Sequence, residues 1–220
     1  FYIKQMPGME KILHTLCIAA LLGLSFIVYK NYYKQKIYPD EQGAISVSDL
    51  ENNLNNVYRL KAKTLKHYVS KHTMNTSICF LIDMKIPSNL FRFYVYDLNK
   101  DSILYKGLAA NGKYDEQTLQ VKYSNAIGSR CTSLGRYQVG YKYNGDYGIT
   151  YKLYGLDSTN SNAFERNVVL HSYRYIPDNE TNNLISLSNG CPMVSENFLQ
   201  TVSAIIDTAK KPIALEIFDK

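Results

Sequence analysis

Two residues of this chain have the types and spacing for covalent chemistry. Cys191 lies in Ser188-Asn189-Gly190-Cys191-Pro192, and His171 ends the apolar run Val168-Val169-Leu170 twenty residues upstream. A thiol is a strong nucleophile only as thiolate, and a nearby imidazole is the usual means of removing its proton near neutral pH. Gly190 lets the backbone approach a substrate or take a conformation closed to other residues. The backbone N–H groups of Gly190 and Cys191 are candidate donors to a developing oxyanion. No Cys-x-x-Cys pair is present and one His beside one Cys does not complete a zinc site, so neither metal nor cofactor is expected.

The other cysteines read differently. Cys17 lies in an apolar stretch and reads as inert filler. Cys79 and Cys131 can form a disulfide if they meet in space, which spacing alone leaves open. Cys191 is then the odd thiol. His67 and His72 fall on a lysine-rich helical stretch and read as solvated.

These residues need elements to position them. From Ser77 the pattern is period two with β-branched runs, predicting strands Ile78–Met84, Phe91–Tyr96, Ser102–Ala109, Leu119–Tyr123, Tyr137–Tyr143, Ile149–Leu153, Asn167–His171 and Ile213–Phe218. Asn111-Gly112 and Asn144-Gly145-Asp146 mark turns between them. Ser195 caps a predicted helix running to Ala209, and Ser48-Asp49-Leu50-Glu51 is a capping box opening a helix to about His72. That helix has a loose apolar stripe through Leu54, Val57, Leu65 and Val69; it either packs on the domain or acts as a spacer. The chain divides on this reading into an N-terminal signal or anchor (1–36), a helical linker (37–76) and a mainly β catalytic domain (77–220) with few helices.

Ile12–Tyr29 is apolar apart from His14, Thr15 and Ser25, about long enough to span a bilayer, with Lys11 as its positive flank. Met9 is read as the start. No Ala-x-Ala motif follows, so an uncleaved inner-membrane anchor over 12–29 is preferred to a cleaved signal. Lys30, Lys34 and Lys36 run against export by the positive-inside rule, and the remainder of the chain argues for it. The net charge of +6 does not indicate nucleic acid, because five lysines against one glutamate in residues 1–36 hold most of it. A nearly neutral remainder lacks the basic face that phosphate binding requires.

Several ordered blocks carry a family resemblance. They are Ile82-Asp83-Met84-Lys85-Ile86-Pro87-Ser88, Phe91–Leu98, Tyr123-Ser124-Asn125 with Gly128-Ser129, Thr132–Tyr137, and Leu156-Asp157 with Asn160, Ala163 and Arg166 leading into Val168–Ser172. The last is Ser188–Pro192. Together they resemble the murein L,D-transpeptidase catalytic domain of the YkuD-type superfamily, in a Cys-Pro branch, over about two thirds of the chain. The resemblance implies a β-sandwich or barrel in which Cys191 is the nucleophile and His171 the base. The Ser172 backbone carbonyl orients the imidazole, and Gly190 and Cys191 N–H groups form the oxyanion hole. Ser188 supports the loop; Asn189, Gly135 and Tyr137 line the substrate cleft. The implied substrate is a peptidoglycan stem peptide cut after the L-configured centre of its diamino acid, in the cell envelope or periplasm. Many members have a second histidine where this chain has Asn189, and Arg or Asn where it has Met193. Arg166, Arg174 and Arg136 are therefore the candidates to bind the substrate carboxylate. Asp157 reads as a turn residue and Cys131 as passive. Three activities fit: transpeptidation to an acceptor amine, hydrolysis of the same acyl-enzyme as an L,D-carboxypeptidase or endopeptidase, and non-catalytic murein binding.

Overall fold

Ile78-Cys79-Phe80-Leu81-Ile82 is apolar at every position, and a strand of that kind belongs where both faces are covered. It forms β1 (Ile78–Asp83) at the heart of the sheet, antiparallel to β2 (Phe93–Asp97) and parallel to β8 (Ala214–Phe218). The computed structural model describes residues 47–118 and 120–219. Around β1 are α1 (Val47–Ser70), β3 (Ser102–Gly107), β4 (Gly135–Gly145), β5 (Gly148–Gly155), β6 (Val169–Ser172), β7 (Met193–Val194) and α2 (Glu196–Thr208). The eight strands form one sheet in the order β3-β2-β1-β8-β4-β5-β6-β7. The protein is mainly β, as its sequence predicts, with two helices among the described residues.

The two helices cover opposite faces. Alternation along β1 sends Phe80 and Ile82 to a core shared with Leu199 and Val202 of α2. It sends Cys79 and Leu81 to a second core with Tyr58, Ala62, Leu65 and Val69 of α1. Burying a side chain such as Leu65 or Val69 is worth about 1.5–3 kcal/mol, so from Tyr58 onward α1 is a structural part of this body. Asn53 to the C-terminus forms one compact unit, which takes in residues 53–76 of the expected linker together with the 77–220 domain. Ser195 caps α2, its Oγ accepting from the Phe198 N–H at 3.2 Å. Phe198 packs edge-on to Phe93, with ring centroids 5.2 Å apart, directly over Gly107.

Local details differ from expectation. Of the predicted strand 119–123, Val121 and Tyr123 make only isolated bridges, to Tyr114 and Thr132. Asp115 Oδ1 accepts from the N–H groups of Gln117 and Thr118, which turns the chain there instead of extending it. The two-residue β7 is too short to have shown a period. The predicted apolar span 12–29, with Cys17, lies outside the described residues. No helix among the described residues is long and apolar enough to cross a membrane.

Candidate active site

His171 sits on β6, opposite Thr150 of β5 on one side and Met193 of β7 on the other. It is buried, and its Nδ1 lies 2.8 Å from the Ser172 backbone oxygen. A carbonyl oxygen only accepts, so Nδ1 carries the proton and Nε2 keeps its lone pair. Burial pushes the imidazole below its ordinary value, against the Ser172 hydrogen bond. Tyr147, at the tip of the β4–β5 hairpin, stacks on the ring at 4.8 Å between centroids.

The nucleophile loop is fastened at two points. The Ser188 N–H donates to Asn111 O at 2.8 Å, and the Gly190 N–H donates to Ser188 Oγ at 3.0 Å. Asn111 is itself held by the fully buried Arg92, whose Nη2 donates to Asn111 Oδ1 at 2.5 Å. Gly190 has φ +107°, and a Cβ there would lie 2.5 Å from Cys131 O, so no other residue fits without a shift. Cys191 is half-buried, and its Sγ–H donates to Asn167 O at 3.7 Å. Burial pushes the thiol up; a hydrogen bond from the Val169 backbone, then the Arg166 and Lys152 charges, pull it down. The resting pair is therefore neutral thiol and neutral imidazole.

Cys191 and His171 line one cleft of about 520 Å³, together with Ser188, Asn189 and Arg166. Other sequence-predicted residues are placed elsewhere. Tyr137 is fully buried in the core, its hydroxyl donating to Ser133 O at 2.7 Å. Gly135, at φ +123°, packs against Asp157, Thr159 and Asn160. Neither lines the cleft, because β4 runs beside β8 at that point, two strands from β6. Arg174 stacks on Tyr175 at 4.7 Å and lines an adjoining hollow of about 390 Å³ with Ser172 and Glu196. Arg136 is paired with Asp157, whose carboxylate also takes the Arg136 N–H at 2.7 Å. Arg166 reaches the cleft, but its guanidinium donates to Cys131 O at 2.6 Å, Ser124 O at 2.9 Å and Ser133 Oγ. The oxyanion donor expected at Gly190 is engaged by Ser188 Oγ, and the Cys191 N–H makes no hydrogen bond among the described residues.

Cys79, Cys131 and Cys191 are free thiols. Sequence reasoning passed over three residues of the site. Tyr147 follows a turn signal that was read, yet nothing in the turn says that its tip folds onto β6. Lys152 is buried within a run of apolar neighbours, where alternation along β5 could have flagged a lysine turned inward. Asn167 has φ +53°, a backbone requirement that asparagine meets at low cost and that its position between strands could have suggested.

A family model of the L,D-transpeptidase catalytic domain matches residues 50–214. No curated protein matches the chain. Among solved structures it is similar to the helical cell shape determining protein Pgp2 from Campylobacter jejuni, at 14% identity and TM-score 0.42, covering 74% of this chain and 56% of that one. It is similar to an L,D-transpeptidase from Mycobacterium smegmatis at 12% identity and TM-score 0.40, covering 64% and 58%. For Mycobacterium tuberculosis L,D-transpeptidase 1 the values are 13%, 0.33, 64% and 61%. This chain thus spans less than two thirds of each of those chains. The family match runs through most of α1, all of α2, strands β1 to β7 and the cleft that holds Cys191 and His171: the chain belongs to the L,D-transpeptidase catalytic domain family.

Proposed function

We propose that this protein is a cysteine acyltransferase acting on peptidoglycan stem peptides. The observation that supports it is the shared cleft, in which a half-buried thiol accompanies an imidazole whose Nδ1 is held by Ser172 O at 2.8 Å. The reaction begins when the thiol gives up its contact with Asn167 O and its proton passes to Nε2 of His171. The thiolate then attacks the peptide carbonyl after the L-configured centre of the diamino acid. The oxyanion is met by the Cys191 N–H, while Gly190 shapes the turn. The C–N bond breaks, the leaving amine takes the proton from His171, and the acyl group remains as a thioester on Cys191. An acceptor amine attacks the thioester, gives a proton to His171 and releases the thiolate. Asn189, on the cleft wall, faces the substrate, while Arg166 holds the wall together through Ser124 O, Cys131 O and Ser133 Oγ. The family relationship supports peptidoglycan as the substrate, which puts the reaction in the cell envelope; segment 12–29 then serves as membrane anchor or export signal.

Incubation of the protein with purified stem peptides, followed by muropeptide analysis, tests this reading. Cross-linked dimers are expected from the native chain and none from Cys191→Ala. Shortened stems without dimers would make it an L,D-carboxypeptidase or endopeptidase. If neither product forms and a carbapenem leaves no adduct on Cys191 by mass spectrometry, the catalytic reading fails.

A further inference from the structure

Lys152 is 3% exposed, and no carboxylate pairs with it among the described residues. A buried charge without a counter-ion is costly unless something in the site uses it. Its Nζ donates to Phe164 O at 3.0 Å and to Asn167 Oδ1 at 2.9 Å, and lies 4.5 Å over the Phe164 ring. Asn167, with φ +53°, presents the carbonyl that receives the Cys191 thiol at 3.7 Å. Lys152 is also paired in register with Val169, whose backbone faces the same sulfur. One buried ammonium thus stands a single residue away from the nucleophile.

We propose that Lys152 is a positioning residue for Cys191: through Asn167 it fixes the carbonyl that seats the thiol, and its charge stabilises the thiolate left when His171 takes the proton. The proposal rests on the acyltransfer reading and adds to it the source of the electrostatic bias. Lys152 is shielded from water, and a charge so placed acts more strongly than one at the surface. Burial pushes the Lys152 ammonium down, and the Cys191 thiolate opposes that shift.

The other charged or titratable groups around the sulfur are Arg166 ahead of β6, His171 on β6, Tyr137 on β4, Tyr143, Asp146 and Tyr147 towards the hairpin tip, and Tyr173 beyond β6. All of them remain when Lys152 alone is changed, so a shift on its substitution belongs to Lys152.

The test is the rate of iodoacetamide alkylation at Cys191 across a pH series, read by peptide mass spectrometry on the full chain. Lys152→Met is expected to move the midpoint of the profile upward, each unit slowing alkylation near neutral pH about tenfold. Lys152→Arg should restore the native profile. Lys152→Gln keeps a donor to Asn167 without the charge and should resemble Lys152→Met; it also carries the test if the methionine variant does not fold. A folded neutral variant with the native midpoint overturns the proposal. Because alkylation needs no murein, the two readings fail separately. A shifted midpoint without muropeptide turnover removes the acyltransfer reading alone. Turnover with an unshifted midpoint removes the role of Lys152 alone.

Discussion

The imidazole of His171 owes its state to its neighbours. Burial keeps it neutral, and the stacked Tyr147 contributes much of the cover on its open side although that tyrosine is itself 58% exposed. Removing the ring wets the imidazole and lets its pKa rise toward the ordinary value. Tyr147→Ala should therefore shift the acid limb of the pH–rate profile upward, since His171 must be neutral to accept the thiol proton, and Tyr147→Phe should leave the limb where it is. An unmoved limb in the alanine variant would remove Tyr147 from this role. Arg166 acts on stability instead. Arg166→Ala strands acceptors on Ser124, Cys131 and Ser133 and should cost about 2–4 kcal/mol, seen as a melting temperature lower by several degrees. At this scale the sequence was legible where chemistry needs a residue type, as at Cys191 and His171. It was illegible where function depends on which residue a side chain meets. Nothing in the string Lys-Tyr-Asn-Gly-Asp-Tyr told which tyrosine would lie on a histidine two strands' length away in sequence.

Elements convey these contacts to the loops. The Gly190 turn combines positive φ with the Cys131 carbonyl pressed against it. Gly190→Ala should cost about 1–2 kcal/mol for the backbone conformation alone, more for the clash, and should abolish turnover while the far-ultraviolet circular dichroism of the sheet stays native. A fully active alanine variant would contradict this account of the turn. The strands flanking the site were readable because Val168–Leu170 and Ile149–Leu153 have runs long enough to show a pattern. Gly135 and Tyr137 were misplaced because a resemblance fixes which residues recur and says little about which side of a sheet they face. Tyr137 alternates inward with Val139 into the core, and burial pushes its phenol up to about 12.

At the scale of the described body, the two larger cores rest on one sheet, and the back core depends on α1. A chain beginning at Ser77 would expose Leu81, Tyr94 and Phe218, which Tyr58, Ala62, Leu65 and Val69 now cover. It should aggregate or melt well below the longer chain by calorimetry; equal stability would mean that the helix is dispensable. The boundary drawn at residue 77 followed a change of periodicity, which reports where strands begin and is silent about what packs behind them. The outer end of the sheet has a different consequence. β7 is two residues long, lies at the margin of the sheet and holds Met193 against His171 two residues after the nucleophile. Its two side chains are nonetheless buried, Val194 in the core that contains Leu199, and the Met193 carbonyl accepts from the Ala110 N–H at 2.8 Å. Warming should therefore abolish the proposed acyl transfer in the same transition that melts the core, with no folded but inactive plateau between them.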